Sequence, residues 1–295
     1  MPSIMPYMRG IVLAGGSGTR LWPSTKTTSK HLFPIYDKPL IYYPLATLML
    51  AGIREILVIS TPSDLPNFEK LLGDGNQLGI QIGYLPQPKP EGLAQAFTIG
   101  EEFIGREKVA LILGDNIFQG TGLGGDLVER TNPDGALIFG YTVTDPERYG
   151  VAEIDSYGNV LSIVEKPQFP KSNIAIPGLY FFDNTVISKA HKVEKSARGE
   201  LEITAILDMY LQSRDLKLEI LPRGTAWLDC GTTQSLNDAG NYIRVIEERQ
   251  GLKVSCPEEI AWRNGWISKN DVVKFAMSYG GSEYSDYLIK IVSSI

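Results

Sequence analysis

Short apolar runs alternate along this chain with segments of helical periodicity. The runs are brief and uninterrupted, which is typical of strands buried on both faces, and they occupy residues 10–14, 55–60, 109–113 and 136–139. Between them, apolar residues recur every three or four positions, as they do in residues 44–50 and 203–211. This alternation predicts an α/β protein with a Rossmann-like, mixed but mostly parallel sheet that is flanked by helices.

The pattern changes in the second half of the chain. Residues 151–164 are typical of a hairpin. Beyond Gly231 the apolar spacing is helical, and Ser268 is placed to cap one of the helices. We therefore predict three parts, namely an N-terminal extension over residues 1–9, a main α/β domain over residues 10–250 and a C-terminal helical segment over residues 251–295.

Composition limits the possible partners. The net charge is −6, so there is no basic surplus for binding nucleic acid. No apolar run approaches the roughly 18 residues of a membrane span, so no membrane partner is expected. Two cysteines, Cys230 and Cys256, suit a reducing cytoplasm. Because the only histidines are His31 and His191, we expect any metal to be a hard cation that carboxylates hold.

The first apolar run ends in a glycine-rich loop, Gly15-Gly16-Ser17-Gly18-Thr19-Arg20. Glycines let a ligand approach main-chain N–H groups, and such groups together with Arg20 and the later Lys30 suit a phosphate. The simpler alternative is a tight strand-to-helix turn with a solvent-facing arginine. The spacing matches neither the Walker A pattern nor the dinucleotide fingerprint, which disfavours an NAD-dependent oxidoreductase.

Aspartates follow two other apolar runs, at the positions where ligands bind in parallel sheets. Leu113 leads into Gly114-Asp115-Asn116, and Trp227-Leu228 leads into Asp229. Mg²⁺ takes one or two carboxylates and completes its shell with water and phosphate oxygens. We therefore predict that Asp115 and Asp229 hold Mg²⁺, although an aspartate in such a place can also be a helix N-cap.

Further polar residues are candidates for substrate binding. Gln87 carries both the donor and the acceptor that reading a pyrimidine edge requires, but a surface glutamine is the simpler interpretation. Glu165 and Lys166 could bind sugar hydroxyls and a phosphate, or could form an exposed charged turn. Arg198 is a cation at the start of a helix, which is electrostatically unfavourable, so we expect an anion to offset it.

Five motifs in this order resemble the glucose-1-phosphate thymidylyltransferases, or dTDP-glucose pyrophosphorylases, of the sugar nucleotidylyltransferase family. They are Gly15-Gly16-Ser17-Gly18-Thr19-Arg20-Leu21, Gly114-Asp115-Asn116, Glu165-Lys166-Pro167, Arg198-Gly199-Glu200-Leu201-Glu202-Ile203-Thr204 and Trp227-Leu228-Asp229. The resemblance runs from about Gly10 to the last helix, and its C-terminal part is similar to the long, tetrameric branch. It implies a homotetramer that uses Mg²⁺ to condense dTTP with α-D-glucose 1-phosphate, giving dTDP-glucose and pyrophosphate.

The resemblance also implies a role for each matching residue. The nucleotide is expected to bind Gly15, Gly16, Thr19, Arg20, His31, Gln87 and Gly92. The sugar phosphate is expected to bind Asn116, Tyr149, Gly150, Glu165, Lys166 and Arg198, and Mg²⁺ to bind Asp115 and Asp229. The expected catalytic residues are Arg20, Lys30, Asp115 and Lys166. Many members of the family have glutamine where His31 stands, so the preference for thymine over uracil is open here.

These roles agree with the chemistry. A sugar phosphate is mostly a dianion at neutral pH, because the second pKa of a phosphate monoester is about 6. It is already a nucleophile and needs no general base. The obstacle is repulsion between two anionic reactants, which cations at Arg20, Lys30, Lys166 and Arg198 would reduce together with Mg²⁺.

Two alternatives share the same fold. One is a uridylyl- or cytidylyltransferase that acts on glucose 1-phosphate. The other is a non-catalytic regulatory protein that binds nucleotide sugars, which should lack the metal carboxylates or the cations that this sequence retains.

Overall fold

The apolar runs of the sequence form strands in the computed structural model, which describes residues 7–293. The strands are β1 Met8–Leu13, β2 Pro34–Ile35, β3 Lys38–Pro39, β4 Glu55–Ser60, β5 Gln81–Pro86, β6 Lys108–Leu113, β7 Asn116–Gln119, β8 Ala136–Thr142, β9 Gly150–Ile154, β10 Val160–Glu165, β11 Ile174–Ala175, β12 Leu179–Phe182, β13 Leu216–Ile220 and β14 Ala226–Asp229. The helices are α1 Tyr42–Leu50, α2 Leu65–Leu72, α3 Gln95–Ile99, α4 Glu101–Ile104, α5 Leu123–Glu129, α6 Val186–Ala190, α7 Ile203–Gln212, α8 Thr233–Gln250, α9 Pro257–Arg263, α10 Lys269–Ser278 and α11 Glu283–Ser293.

The first strand begins earlier than the sequence predicted. β1 includes Met8 and Arg9, which the predicted N-terminal extension over residues 1–9 contained. Arg9 faces Val109 of β6 and Glu55 of β4, so this end of β1 is fully paired. Residues 1–6 of the extension lie outside the described residues.

The main sheet has a parallel part and an antiparallel part. Its strand order is β10-β9-β11-β8-β12-β6-β1-β4-β5, and β13 pairs with β8. β1 lies parallel to β4 and β6, and β5 lies parallel to β4. β12 then runs antiparallel between β6 and β8, and β9 and β10 form the predicted hairpin. The predicted α/β fold with a mixed sheet flanked by helices is confirmed, and β1 and β6 end side by side.

Both faces of the sheet are covered. On one face Val12 packs in a cluster with Leu45 of α1 and Phe118 of β7. On the other face Ile11 packs with Phe97 of α3 and Leu207 of α7. Burial on both faces explains why residues 10–13 of β1 are an unbroken apolar run in the sequence and do not alternate.

The C-terminal helices pack on the main domain. Gly251 ends α8 in a left-handed conformation, and the Ser268 side chain accepts the N–H of Asp271 at the start of α10, as its position predicted. α9 contacts α1, and the buried Glu258 carboxylate accepts hydrogen bonds from the hydroxyls of Tyr279 and Tyr284. Among the described residues, none of the helices has both the length and the apolarity needed to cross a membrane.

Candidate active site

A two-stranded ribbon brings together the two aspartates that the sequence singled out. Asp115 follows β6 and precedes β7, which pairs antiparallel with β14 so that Asp229 lies opposite Asn116. The N–H of Cys230 donates to the main-chain carbonyl of Asp115 at 2.9 Å. Because β7 begins and β14 ends at this point, Asp115 and Asp229 lie at the same end of the ribbon. Both line a cavity of about 530 Å³.

The two carboxyl groups differ in their electrostatic surroundings. Burial alone would raise the pKa of Asp115, but a contact with the ammonium of Lys30 outweighs it and lowers this pKa to about 2. The pKa of Asp229 is instead raised by burial and by the negative charge of Asp115. The Arg148 guanidinium lies 3.6 Å from Asp229 and relieves part of that repulsion. The pair therefore presents carboxylate oxygens whose negative charge the cations Lys30 and Arg148 partly offset.

Cations and apolar side chains also line the cavity. Its lining residues are Arg20, Leu93, Leu113, Asp115, Asn116, Arg148, Tyr149, Gly150, Glu165, Lys166, Ile176, Gly178, Tyr180, Glu200, Glu202, Ile203, Thr204, Leu207, Trp227 and Asp229. The Arg20 guanidinium lies close to the Asp229 carboxylate. Both border Gly231, where an added Cβ would lie 3.6 Å from Arg20 Nη1 and 3.3 Å from Asp229 Oδ1. Of the predicted sugar-phosphate residues, Arg198 is the one that is not among the lining residues.

The glycine loop borders a second cavity of about 310 Å³. Gly16, Gly18 and Lys30 line it together with Lys26, which the sequence reasoning did not single out. Thr19 begins a short 3₁₀ turn, Thr19–Leu21, that points Arg20 toward the first cavity. Lys30 contacts Asp115, so the two cavities meet at this ion pair.

Gln87 and Gly92 lie in the segment between β5 and α3, and Gln87 contacts the glycine loop. The Gln87 side chain is buried against Gly15, where an added Cβ would lie 2.2 Å from its Oε1, and its amide donates to Gln95 at 2.8 Å. Gly92 has a φ of +127°, and an added Cβ would lie 2.3 Å from the carbonyl oxygen of Leu201. Only glycine allows that approach, which attaches this loop to the start of α7.

The β9–β10 hairpin assembles four predicted residues. Gly150 pairs with Glu165, and the N–H of Lys166 donates to the carbonyl of Tyr149 at 2.9 Å. Lys166 has a φ of +43°, an uncommon conformation for a residue with a side chain, and it lines the cavity. Burial raises the pKa of Glu165 despite the neighbouring Lys166 ammonium.

The anions that offset Arg198 are carboxylates of the chain itself, so the charge of this arginine does not by itself require a bound phosphate. Its Nη2 lies 2.9 Å and 3.0 Å from the two carboxylate oxygens of Glu202, 3.2 Å from Glu200 and 3.5 Å from Glu165. These carboxylates follow it closely in the sequence or lie on β10. A phosphate at Arg198 would have to compete with them.

His31 is enclosed by protein. Its ring is 2% exposed, its Nδ1 lies 2.9 Å from the Ser29 hydroxyl, and it lies beside Gly114 and Phe68. Burial, assisted by the charge of Lys30, lowers its pKa to about 3, so the ring is neutral at pH 7. In this arrangement the imidazole supports the loop from within.

Several lining residues were not predicted as site residues from the sequence, and two of them, Arg148 and Trp227, contact residues that were. Arg148 pairs with Asp145 at 2.7 Å and approaches Asp229, and its guanidinium lies 5.3 Å from the ring centroid of Tyr149. Trp227 packs against Tyr149 with 4.9 Å between ring centroids. Arg148 directly precedes Tyr149, and Trp227 lies two residues before Asp229, so proximity to motif residues was the available signal.

Known proteins share this architecture. The chain matches the model of the nucleotidyl transferase family over residues 9–245. The glucose-1-phosphate thymidylyltransferase of Mycobacterium tuberculosis (strain ATCC 25618 / H37Rv) is 56% identical over 285 residues, covering 97% of this chain and 99% of that protein. The one from Neisseria gonorrhoeae is 54% identical and covers 97% of this chain and 99% of its own length.

Solved structures agree. A Bacillus anthracis protein assigned as a glucose-1-phosphate thymidylyltransferase, crystallised with sucrose, has a TM-score of 0.74 and is 38% identical, covering 80% of this chain and 95% of that one. A UDP-glucose pyrophosphorylase in complex with UDP-glucose has a TM-score of 0.71, 24% identity, and covers 81% of this chain and 99% of that one, which indicates a common fold. The chain belongs to the nucleotidyl transferase family, and within it to the glucose-1-phosphate thymidylyltransferases.

Proposed function

We propose that this protein condenses dTTP with α-D-glucose 1-phosphate to give dTDP-glucose and pyrophosphate. The names of relatives that are 54–56% identical over nearly the whole chain support this reaction. The observation that carries it is the cavity in which Asp115 and Asp229 lie together with the cations Arg20, Arg148 and Lys166. Such a site suits two phosphorylated reactants that must approach each other.

We propose Mg²⁺ as the metal, held by Asp115 and Asp229. Members of the family generally use a divalent metal ion. The carboxylates of Asp115 and Asp229 line one cavity and are the hard oxygen donors that Mg²⁺ prefers. Burial first, and then the negative charge of Asp115, raise the pKa of Asp229, and a divalent cation would offset both effects. When bound, Mg²⁺ would supply positive charge to the phosphates of the nucleotide.

The chain's own residues would position the reactants. An oxygen of the sugar phosphate attacks the α-phosphorus of dTTP, the bond from that phosphorus to the bridging oxygen breaks, and pyrophosphate leaves. The nucleophile needs no general base since it is mostly dianionic at pH 7. Arg20 and Lys30 would hold the triphosphate and Lys166 the sugar phosphate. Fixed cations reduce the repulsion and hold the two phosphates in line.

The remaining contacts follow from the position of each residue. The nucleotide would bind at the glycine loop through Gly15, Gly16 and Thr19, with Gln87 and Gly92 at the base and His31 supporting the loop. The sugar phosphate would bind the hairpin and its neighbours, which are Tyr149, Gly150, Glu165 and Arg198. The amide oxygen of Asn116 is buried and already accepts two hydrogen bonds, so it would not bind the sugar phosphate directly. At Arg198 the phosphate would replace part of the contact with Glu200.

We also propose that the protein is a homotetramer in the cytoplasm. The relatives match 285 or more residues of this chain, so they share its C-terminal helices. The similarity of this segment to the tetrameric branch of the family supports the assembly. Light scattering coupled to size exclusion should give a mass four times that of the chain.

One experiment tests the reaction. Purified protein is mixed with glucose 1-phosphate, MgCl₂ and one of dTTP, UTP, CTP or ATP, and pyrophosphate release is followed. We expect dTTP to be the best substrate. A preference for UTP would identify a uridylyltransferase, and no release with any nucleotide would indicate a regulatory protein. Omission of glucose 1-phosphate is the control for simple hydrolysis.

A further inference from the structure

The Asn116 side chain forms hydrogen bonds to two parts of the candidate site. It is 2% exposed, and its Oδ1 accepts hydrogen bonds from Trp227 Nε1 at 2.6 Å and from the N–H of Gly178 at 3.1 Å. Its Nδ2 donates to Asp115 Oδ1 at 2.9 Å. A buried amide with donor and acceptor both in use fixes the groups on either side of it.

Those two groups have different tasks. Asp115 is one of the two carboxylates proposed to hold the divalent cation. Trp227 forms a wall of the cavity with Tyr149, on the side where the hairpin residues would bind the sugar phosphate. The side chain of Asn116 therefore connects the proposed cation ligand Asp115 directly to Trp227 in the wall of the cavity.

Only an amide satisfies both sides of this link. A carboxylate at position 116 could still accept from Trp227 and Gly178, but it would face Asp115 with a like charge and no donor. An apolar side chain would leave two buried N–H groups without an acceptor. Either change is costly in a buried site.

We propose that Asn116 is a positioning residue that couples binding of the divalent cation to binding of the sugar phosphate, through Asp115 on one side and Trp227 on the other. This inference rests on the proposed function. Its consequence is specific, since removing the indole N–H of Trp227 should weaken cation binding although no atom of Trp227 is proposed to touch the cation.

Trp227→Phe is the central variant, because it keeps an aromatic ring at this position and removes the N–H donor together with part of the ring surface. Asn116→Ala and the double variant complete a double-mutant cycle. Trp266→Phe, in the segment between α9 and α10, is the matched control. Far-UV circular dichroism checks the fold of each variant.

Two measurements are made on each protein. Binding of Mn²⁺ alone, without substrates, is followed by electron paramagnetic resonance, and KM for glucose 1-phosphate is measured with saturating dTTP and MgCl₂. We expect Trp227→Phe to raise both the Mn²⁺ Kd and this KM by about fivefold, the contribution of one hydrogen bond. In the Asn116→Ala background the same change should alter either value by less than about twofold. Trp266→Phe should change neither.

The outcomes separate this inference from the proposed function. An unchanged Mn²⁺ Kd in Trp227→Phe, or effects of Asn116→Ala and Trp227→Phe that simply add, would overturn the coupling. If Asn116→Ala does not fold, the Mn²⁺ Kd of Trp227→Phe decides alone. No Mn²⁺ binding by the wild type overturns both the metal site and the coupling. In a third case the wild type binds Mn²⁺ and Trp227→Phe binds it more weakly, but the wild type transfers no thymidylyl group. That result refutes the proposed reaction and leaves the coupling intact.

Discussion

Protonation of His31 should control how the stability of this protein depends on pH. The ring is 2% exposed, and burial together with the charge of Lys30 lowers its pKa from 6.5 to about 3. The Ser29 hydroxyl at 2.9 Å is the hydrogen-bond partner of the neutral ring. We therefore choose His31→Gln, which removes the titratable group and keeps a side chain that can bond to Ser29.

The magnitude follows from the two pKa values. Between about pH 3 and pH 6.5 the unfolded chain binds a proton at His31 that the folded chain does not. The free energy of unfolding therefore falls as the pH falls through this window. Each pH unit corresponds to about 1.4 kcal/mol, so acidification from pH 7 to pH 5 should cost about 2 kcal/mol through His31 alone.

Urea titrations at pH 7 and pH 5, at one protein concentration, measure this directly. The decrease in unfolding free energy between the two pH values should be about 2 kcal/mol smaller in His31→Gln than in the wild type. His191→Gln is the control, because that ring is exposed and pairs with Glu101 at the surface. Its decrease should match the wild type to within about 0.5 kcal/mol.

One result would refute the reasoning. If His31→Gln loses as much stability on acidification as the wild type, then the imidazole is protonated in the folded state. The ring would then have to reach water or an anion, which contradicts its enclosure beside Gly114 and Phe68.

Other substitutions test the site itself. Arg20→Ala and Asp115→Ala should each lower the rate of pyrophosphate release by about a hundredfold or more with an unchanged circular dichroism spectrum, and near-normal turnover in either would exclude its assigned role. Gln87→Ala should reduce the ratio of kcat/KM for dTTP over UTP, whereas an unchanged ratio would mean that the base is recognised elsewhere. Lys166→Asn should lower turnover by about a hundredfold while unfolding free energy stays the same or rises by up to about 1 kcal/mol, because asparagine adopts a positive φ more readily than lysine. A marked loss of stability would show that φ at this position is not strained.

Local sequence patterns determined the secondary structure. The apolar runs at β1, β4 and β6 and the cap at Ser268 depend on residues close together in the chain, and the structure has β4, β6 and the cap where the pattern predicted them, whereas β1 begins two residues earlier. The glycine loop and Asp115 were also within reach of sequence reasoning, because parallel strands that end at one edge place their following loops together.

Tertiary structure alone decided which side chains meet. The antiparallel pairing of β7 with β14 places Asp229 opposite Asn116. No local sequence pattern predicts this pairing, because the two strands are far apart in the chain. The link from Asp115 through Asn116 to Trp227 depends on the same pairing. Folding also encloses His31 and surrounds Arg198 with carboxylates. Burial and charge pairing are properties of three-dimensional neighbours, so the sequence could name the residues but not their surroundings.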